Sequence, residues 1–433
     1  MTVASTSGIR GTFNVDLMPE EMAEYTRRFV TLVGGRQFII ARDTRSTGPI
    51  ASRVVAGAIM GSGADVIDYG VISTPAVFRE SRKRDRPAVI VTASHNEPEW
   101  NGLKFVVNGR GINQAEFDQV MKGVKGEGLR PPGRLASSGV FSYNKELVEM
   151  AGEGSGEGVK VVLDLNGGAA IGHAPAILRA LGCQVSTMGD VRGIYSRTID
   201  PTNDPLDVLC KTVKKDGADV GFAFDCDGDR LALVDCDGKA RTGDYMLTLA
   251  LKEALQKDPR KDVVVSVDTT QAVDDVVKEA GGQVFRAKVG EGNVVGMMAE
   301  KGVRFGGEGS SGGVIDASFN SCRDSMVAAA FIVAALKRKG KKVYDQVRSL
   351  HIAREKMEMS RKKAADAVKK LQRDNPKADA LDGLKIKTSG SSWVLIRVSN
   401  TEDVVRVSAE APNLKDAEHL AHSWALKVKR AGA

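Results

Sequence analysis

Apolar strand patterns alternate with helical patterns over most of this chain of 433 residues. The clearest group reads as strand, helix, strand, helix and strand at residues 37–43, 50–60, 64–69, 74–83 and 86–92. Its strands are continuous apolar runs without polar alternation, which is typical of a sheet covered on both faces. The alternation therefore predicts βαβ units with mostly parallel sheets.

Two more groups of this kind follow, one after the glycine-rich stretch 152–158, which we interpret as a linker, and one from Asp244 to Lys339. In the last ~80 residues, strands and helices are instead grouped, which is typical of an α+β domain. Single cores stop growing near ~250–300 residues, so several domains are needed. We predict three similar α/β domains with mixed, mostly parallel sheets and a C-terminal α+β domain around a central cleft, at 1–140, 141–242, 243–350 and 351–433.

Charge and composition exclude several classes of function. The net charge of +7 is spread over the chain, and aromatic residues make up only 5%. The basic runs 81–86 and 337–342 contain no aromatics, so we interpret them as solvated helix ends and predict no nucleic-acid partner. Five cysteines without a CxxC spacing argue against a disulfide framework, and no apolar run approaches the ~20 residues of a membrane span. These features predict a cytoplasmic protein without a membrane partner, either a monomer or a homodimer.

The loop after the third strand carries Ser94, His95 and Lys104. A serine beside a histidine and near a lysine, at the end of a strand, is a candidate nucleophile with its proton-transfer groups. The alternative is an ordinary polar loop with a helix-capping serine. Since no acidic residue is placed to orient His95, a hydrolytic triad is not supported.

A second loop places Asp225, Asp227 and Asp229 directly after a buried strand. Three carboxylates on alternate residues repel one another unless a cation lies between them, and hard oxygen ligands suit Mg²⁺. An EF-hand would need glycine and glutamate where Arg230 and Cys236 stand, so that interpretation fails. A haloacid-dehalogenase-type phosphatase with Asp225 as nucleophile is a second alternative, although Asp229 replaces the small residue expected there.

Two further loops suggest ligand binding. In the glycine-rich loop 306–313, the backbone can approach a ligand closely and Glu308 can accept two sugar hydroxyls. In the loop 397–406, Arg397 and Arg406 flank hydroxyl and amide side chains, a set that fits phosphate. The alternatives are a flexible turn for the first loop and a surface hairpin for the second.

Taken in order, the four loops resemble those of the α-D-phosphohexomutase superfamily, which contains phosphoglucomutases, phosphomannomutases and phosphoglucosamine mutases. The sequences TSGIRG at 6–11 and RDTR at 42–45 are similar to two further motifs of that family. The resemblance covers nearly the whole chain. It implies an isomerase that binds a small sugar phosphate and moves a phosphoryl group within it.

The resemblance implies that Ser94 carries a phosphoryl group and passes it to the free hydroxyl of a hexose 6-phosphate. The hexose 1,6-bisphosphate formed would turn end for end, and Ser94 would take back the other phosphoryl. Mg²⁺ would be held by Asp225, Asp227, Asp229 and an oxygen of phosphorylated Ser94. The implied candidates for proton transfer are His95, Lys104 and Arg10, and the implied substrate-binding residues are Arg230, Lys288, Glu308, Ser310, Arg397, Ser399, Asn400, Thr401 and Arg406.

The chain departs from the family pattern in two loops. Glu97 stands where proline usually follows TASHN, and the sugar loop is one residue longer and ends Gly312-Gly313. The histidine that some members use in the sugar loop is therefore absent, and proton transfer rests on the Ser94 side. The start of the chain is more similar to the phosphoglucosamine-mutase branch, which favours glucosamine phosphate. Phosphomannomutase or phosphoglucomutase specificity, an Asp-nucleophile sugar phosphatase and a non-enzymatic sugar-phosphate sensor are the alternatives.

Overall fold

The strands form four sheets, one in each of four consecutive segments of the chain. The computed structural model describes residues 2–123, 131–139, 141–388, 390–398 and 403–432. The first three sheets are mixed and covered by helices, and the fourth is antiparallel with its helices grouped beside it. This arrangement confirms the predicted fold class of three α/β units and one α+β unit. Among the described residues, no helix combines the length and apolar character that crossing a membrane requires.

The first unit contains an eight-stranded sheet in the order β1-β2-β6-β5-β3-β4-β8, with β7 beside β6. Its strands are β1 Val3–Ser5, β2 Gly8–Thr12, β3 Gln37–Arg42, β4 Asp65–Val71, β5 Ala88–Val91, β6 Trp100–Val107, β7 Arg110–Gly111 and β8 Leu135–Ser137. Its helices are α1 Pro19–Val33, α2 Gly48–Gly61, α3 Thr74–Arg84 and α4 Gln114–Lys122. Strands β3, β4 and β5 are parallel, whereas β6 runs antiparallel to both of its neighbours, β5 and β2. Strand β2 brings Arg10 to within 3.3 Å of Asn96 in the loop after β5.

The second and third units repeat a smaller βαβ plan. The second has α5 Tyr143–Ala151, β9 Lys160–Asp164, α6 Ala174–Ala180, β10 Gln184–Met188, α7 Asp207–Asp216, β11 Val220–Phe224, β12 Leu231–Asp235 and β13 Ala240–Arg241, in the sheet order β10-β9-β11-β12-β13. The third has α8 Gly243–Ala254, β14 Val263–Ser266, α9 Ala272–Glu279, β15 Val284–Ala287, α10 Glu291–Lys301, β16 Phe305–Glu308, β17 Gly313–Asp316 and α11 Ser325–Lys339, in the order β15-β14-β16-β17. In both units a parallel strand ends in a polar loop that returns as an antiparallel strand.

The fourth unit is an antiparallel sheet in the order β18-β21-β20-β19. Its elements are β18 His351–Glu358, α12 Arg361–Asp374, β19 Leu384–Lys387, β20 Trp393–Val398, β21 Val404–Ala411 and α13 Leu414–Ala431. The register pairs Arg397 of β20 with Arg406 of β21. Directly opposed residues share one face of a sheet, with Cβ atoms about 5 Å apart. The two arginines of the predicted phosphate loop therefore lie side by side.

One apolar core runs through the first three units, while the fourth has its own. Helices α8 and α11 are buried on most faces and pack against each other between the units. The fourth unit encloses a separate core that includes Val407 and Trp424. It meets the third unit through a small apolar cluster of Val267, Trp393 and Leu395. The apolar part of this contact is therefore much smaller than the core that the other three units share.

The glycine-rich stretch 152–158 is a packed turn rather than a flexible linker. The Gly156 amide donates to the Leu181 carbonyl at 2.8 Å. A Cβ atom on Gly156 would lie only 2.4 Å from Cys183 Sγ. Glycine is needed here for close packing, which is why the composition of this segment is a misleading indication of flexibility.

Candidate active site

Residues of the Ser94 loop, the acidic loop and the loop 397–406 line one cavity of about 340 Å³ to which all four units contribute, and Glu308 of the sugar loop lies 3.4 Å from Arg323, which also lines it. The Ser94 loop follows β5, the acidic loop joins β11 to β12, and Glu308 ends β16. Ligand sites of open α/β sheets form where the carboxyl ends of strands meet, as they do here. The charged or titratable residues that line the cavity are Arg10, His95, Arg230, Arg323 and Arg406.

Ser94 is fully buried and has a left-handed backbone conformation with φ of 54°. That conformation is uncommon for a non-glycine residue, and strain of this kind is concentrated at functional sites. The Ser94 amide donates to Thr92 Oγ1 at 2.8 Å, and Thr92 Oγ1 donates to Asp43 Oδ2 at 2.6 Å. Ser94 Oγ donates to Asp225 Oδ2 at 3.2 Å. The structure therefore brings the predicted nucleophile to the acidic loop.

Arg45 fixes the Ser94 loop through hydrogen bonds to its backbone carbonyls, a role that the sequence does not reveal. Its guanidinium donates to the Ser94 carbonyl at 2.8 Å and to the Asn96 carbonyl at 2.7 Å. It also donates to the carbonyls of Glu97 and Trp100, and its Nε pairs with Asp43 at 3.0 Å. The Arg45 side chain is fully buried. The RDTR sequence at 42–45 is the available signal, but it does not indicate these carbonyl contacts.

The acidic trio of Asp225, Asp227 and Asp229 is buried, with one oxygen of each within 4.8 Å of the others. Asp225 Oδ1 accepts the amides of Asp229 and Arg230, and Thr74 Oγ1 donates to Asp227 Oδ2 at 2.6 Å. Asp227 Oδ1 and Asp229 Oδ1 are buried without a hydrogen-bond partner among the described residues. Unpartnered carboxylate oxygens at this spacing fit a hard divalent cation.

The electrostatics of the trio follow from burial and mutual repulsion. Burial, reinforced by Asp227 and Asp229, raises the pKa of Asp225 well above its ordinary value. Burial also opposes ionisation of Asp229, but Arg323, Lys104 and Arg230 outweigh it and hold the Asp229 pKa well below the ordinary value. The trio is thus balanced by cations on one side, while its Asp225 side faces Ser94.

The three candidates for proton transfer differ in their charge. Lys104 Nζ lies 2.6 Å from Asp227 Oδ2 and 2.9 Å from Asp229 Oδ2, and these carboxylates outweigh burial and raise its pKa. Burial lowers the pKa of Arg10 to about 10, which leaves the guanidinium charged at neutral pH. Burial, with Arg230 and Arg10 nearby, lowers the pKa of His95 well below its ordinary value. Of the three, only His95 is uncharged at neutral pH.

Glu308 lies at the sugar-loop side of the cavity. Its Oε1 accepts the Gly290 amide at 2.7 Å, and its Oε2 lies 3.4 Å from Arg323 Nη1. Burial raises the pKa of Glu308. Ser310 is partly buried in the turn that follows Glu308. Arg230, the residue after Asp229, lines the cavity and pairs with Asp200 at 2.7 Å.

Arg397 and Arg406 lie on paired strands of the fourth unit, and Arg406 lines the cavity. Arg397 Nε lies 2.9 Å from Asp382 Oδ2, and the same oxygen accepts the Val289 amide of the third unit at 2.9 Å. Lys288, one residue earlier, is exposed. Of the other predicted clamp residues, Ser399, Asn400 and Thr401 lie outside the described residues. Sequence reasoning missed Asp382, since nothing in its neighbourhood resembles a motif that we assigned.

Comparisons with known proteins bear on the whole chain. The sequence matches the phosphoglucomutase/phosphomannomutase family in four consecutive stretches, as α/β/α domain I at 1–130, domain II at 142–238, domain III at 242–352 and the C-terminal domain at 355–427. A probable phosphoglucosamine mutase of Methanopyrus kandleri is 30% identical over 98% of this chain and 97% of its own. The phosphoglucosamine mutase of Alkaliphilus metalliredigens is 30% identical over 98% of each chain.

Solved structures share the fold. A phosphoglucomutase/phosphomannomutase family protein of Burkholderia thailandensis has a TM-score of 0.84 at 24% identity, covering 99% of this chain and 98% of its own. The phosphoglucomutase parafusin of Paramecium, in an open form, has a TM-score of 0.78 at 16% identity, covering 100% of this chain and 96% of its own.

The chain matches four domains of this family in order, and a buried serine lies beside three carboxylates between them. Together these findings define a phosphohexomutase, which is an isomerase. More narrowly, the chain belongs to the phosphoglucomutase/phosphomannomutase family, and the predicted resemblance to phosphohexomutases is thereby confirmed.

Proposed function

We propose that this protein interconverts glucosamine 6-phosphate and glucosamine 1-phosphate through phosphorylated Ser94 and a 1,6-bisphosphate intermediate. The observation that carries the proposal is the 3.2 Å contact between Ser94 Oγ and Asp225 Oδ2 inside the acidic trio. The relatives named phosphoglucosamine mutase support glucosamine phosphate as the substrate.

Asp225, Asp227 and Asp229, with an oxygen of phosphorylated Ser94, would hold Mg²⁺, which supplies positive charge to the transferring phosphoryl group. Cationic side chains of the protein neutralise the remaining negative charge of the acidic trio. Lys104 neutralises Asp227 and Asp229 and fixes their orientation. Thr74 fixes Asp227 from the other side through its hydroxyl.

In the transfer step the bond between phosphorus and Ser94 Oγ breaks while a bond from phosphorus to the sugar hydroxyl oxygen forms. The hydroxyl proton must leave, and His95, which lines the cavity next to Ser94, is the candidate without a charge. The negative charge of the bound phosphates would raise the pKa of His95 toward the range in which it accepts a proton. The same proton then neutralises the released Ser94 oxygen. In the second half of the reaction, Ser94 gives up this proton as phosphorus returns to it, and the sugar oxygen takes the proton up.

The other residues orient the substrate. Glu308 would accept hydroxyls that keep their place when the two ends of the sugar exchange. Arg397 and Arg406, with Ser399, Asn400 and Thr401, would hold the phosphate that does not react, and Ser310, Lys288 and Arg230 would complete the set. Binding energy at a remote phosphate aligns the reacting end. We propose that domains 1–140, 141–242, 243–350 and 351–433 each supply one of these loops.

The test compares glucosamine, glucose and mannose phosphates in a coupled assay and measures the phosphate content of the active protein by intact mass. We expect glucosamine phosphate to be preferred and Ser94→Ala to lower kcat by ~10³-fold or more, because the nucleophile is removed. An Asp-nucleophile phosphatase would instead release free phosphate, lose activity in Asp225→Asn and tolerate Ser94→Ala. Normal isomerisation by the Ser94→Ala variant would contradict the proposal.

A further inference from the structure

We propose that Arg323 binds the phosphoryl group in transit between Ser94 and the sugar, a role that rests on the proposed mutase function. Arg323 lies between β17 and α11 and lines the cavity together with Arg10, Arg230 and Arg406. The Asp324 amide, next along the chain, donates to the Val314 carbonyl and fixes the backbone at this point.

The contacts of Arg323 place it at the reacting end of the cavity. Its Nη2 donates to Asp229 Oδ2 at 3.0 Å, so it touches the acidic loop that also contacts Ser94. Its Nη1 lies 3.4 Å from Glu308 Oε2 at the sugar loop. Arg323 thus contacts a carboxylate of the metal loop and the carboxylate of the sugar loop at the same time. By contrast, Arg397 and Arg406 belong to the separately packed fourth unit.

The guanidinium retains donor capacity in a buried position. Arg323 is 7% exposed, and its Nε is buried without a hydrogen bond among the described residues, although it lies 3.2 Å from Glu291 Oε2. A guanidinium offers five donors in a planar fork that matches phosphate oxygens. Burial opposes its charge, but Asp229, Glu291 and Glu308 outweigh burial and keep Arg323 a cation. The fixed guanidinium of Arg323, with donors still free, therefore suits the phosphoryl group, whose negative charge must be stabilised during transfer.

Gly313, at the end of the sugar loop, packs directly against the Arg323 side chain. A Cβ atom on Gly313 would lie 2.2 Å from Arg323 Cδ and 2.5 Å from its Cγ. The methylene groups of Arg323 therefore occupy the space that a side chain at position 313 would need. Any larger residue at 313 would displace the guanidinium, which gives a physical reason for the Gly312-Gly313 ending of this loop.

The experiment separates the reacting end from the remote end by comparing two ligands on the Ser94→Ala protein, to which the bisphosphate cannot transfer a phosphoryl group. Calorimetry measures the Kd of glucosamine 6-phosphate and of glucose 1,6-bisphosphate for Ser94→Ala alone and for Ser94→Ala combined with R323K or R323M. Only the bisphosphate places a phosphate at position 94 when its other phosphate is clamped. We expect R323M to weaken bisphosphate binding about tenfold or more and monophosphate binding less than about threefold. R406M should weaken both.

Kinetics give the second measurement. We expect R323M to lower kcat by ~10²–10³-fold with little change in KM, as for loss of one donor to a transition-state charge. R323K should recover part of the loss, because it keeps the charge without the fork. R304M is the matched control: it removes an arginine of the same unit that pairs with Asp316 at 2.8 Å outside the cavity, and should lower Tm but not kcat. Gly313→Ala should reproduce the Arg323 defect with the charge retained.

Equal losses of monophosphate and bisphosphate affinity in R323M would overturn the proposal, as would wild-type kcat in both R323K and R323M. A fall in kcat in R304M as large as that in R323M would show that the loss does not depend on the position of the arginine in the cavity, and would also overturn the proposal. If R323M does not fold, R323K and Gly313→Ala carry the same comparison. A Ser94→Ala protein that binds neither sugar phosphate would contradict the proposed function instead.

Discussion

At the scale of single residues, the backbone of Ser94 is the feature on which the site depends. A φ of 54° disfavours any side chain with a Cβ atom, so the surroundings must hold it. Thr92 binds the Ser94 amide and Arg45 binds the Ser94 carbonyl, and Asp43 contacts both of these side chains. The peptide groups on both sides of Ser94 are therefore fixed before any substrate binds.

The first prediction concerns Arg45. Arg45→Lys keeps the charge but cannot reach four carbonyls at once, so Ser94 should lose its alignment. We expect kcat to fall by ~10–10²-fold with KM within about twofold, since small misplacements of a reacting group are costly. Arg42→Lys, in the same motif with one contact to the Asp43 carbonyl, is the control and should keep its activity. Wild-type kcat in Arg45→Lys would show that the loop holds Ser94 without this guanidinium.

At the scale of elements, the apolar strands and the loops after them could be predicted, because buried parallel strands have continuous apolar sequences. The segments from Val220 to Phe224 and from Val263 to Ser266 are examples. β2, with the sequence GIRGT, could not be predicted, since its pairing with β6 rather than its own pattern makes it a strand. Arg323 was missed for a related reason: its partner Asp229 is 94 residues away in sequence.

The start of helix α3 shows how one element depends on another unit. The Ser73 amide donates to His173 Nε2 at 3.1 Å, and His173 Nδ1 lies 2.7 Å from Asn144 Oδ1. The next residue, Thr74, donates to Asp227 of the acidic trio. A neutral His173 satisfies both contacts, with Nε2 as acceptor and Nδ1 as donor. Its charge state therefore affects how α3 meets the metal loop.

The second prediction is a pH dependence of stability from His173. Burial, with Arg192 nearby, lowers the pKa of His173 from 6.5 to about 3. Between these two pKa values His173 is protonated in the unfolded chain and neutral in the folded protein. The free energy of unfolding therefore falls as pH drops below 6.5. At pH 4.5 the loss from this one group should be about 2–3 kcal/mol.

His173→Gln removes this titration while keeping an acceptor for the Ser73 amide. Urea unfolding at pH 7.5 and pH 4.5 should show the variant less stable than the wild type at the higher pH, with the gap closing or reversing at the lower pH. The comparison between variant and wild type cancels the titration of all other groups. A gap of equal size at both pH values would contradict the depressed pKa.

At the scale of the whole molecule, the structure is one block of three units with a fourth attached to its third. On one side of that attachment Lys385 donates to the Val267 carbonyl at 2.6 Å, and Gln271 contacts Glu410 at 3.1 Å. On the cleft side, Asp382 Oδ2 accepts the Val289 amide and lies 2.9 Å from Arg397 Nε. The adjacent Gly290 amide holds Glu308. Two neighbouring amides thus connect the fourth unit and the sugar loop.

The last prediction follows from this connection. Asp382→Ala removes the anchor of Arg397 and the link to Val289 together, so the fourth unit should close less readily on a sugar phosphate. We expect KM to rise about tenfold with kcat within about threefold, because Asp382 acts at the remote phosphate and not at Ser94. Asp382→Asn keeps an acceptor for the Val289 amide and should show a smaller rise. Asp379→Asn, an acid three residues earlier that accepts the Leu381 amide, is the control and should leave KM unchanged. A lower KM in Asp382→Ala would mean that Asp382 competes with the substrate phosphate for Arg397 and does not hold that arginine ready for it.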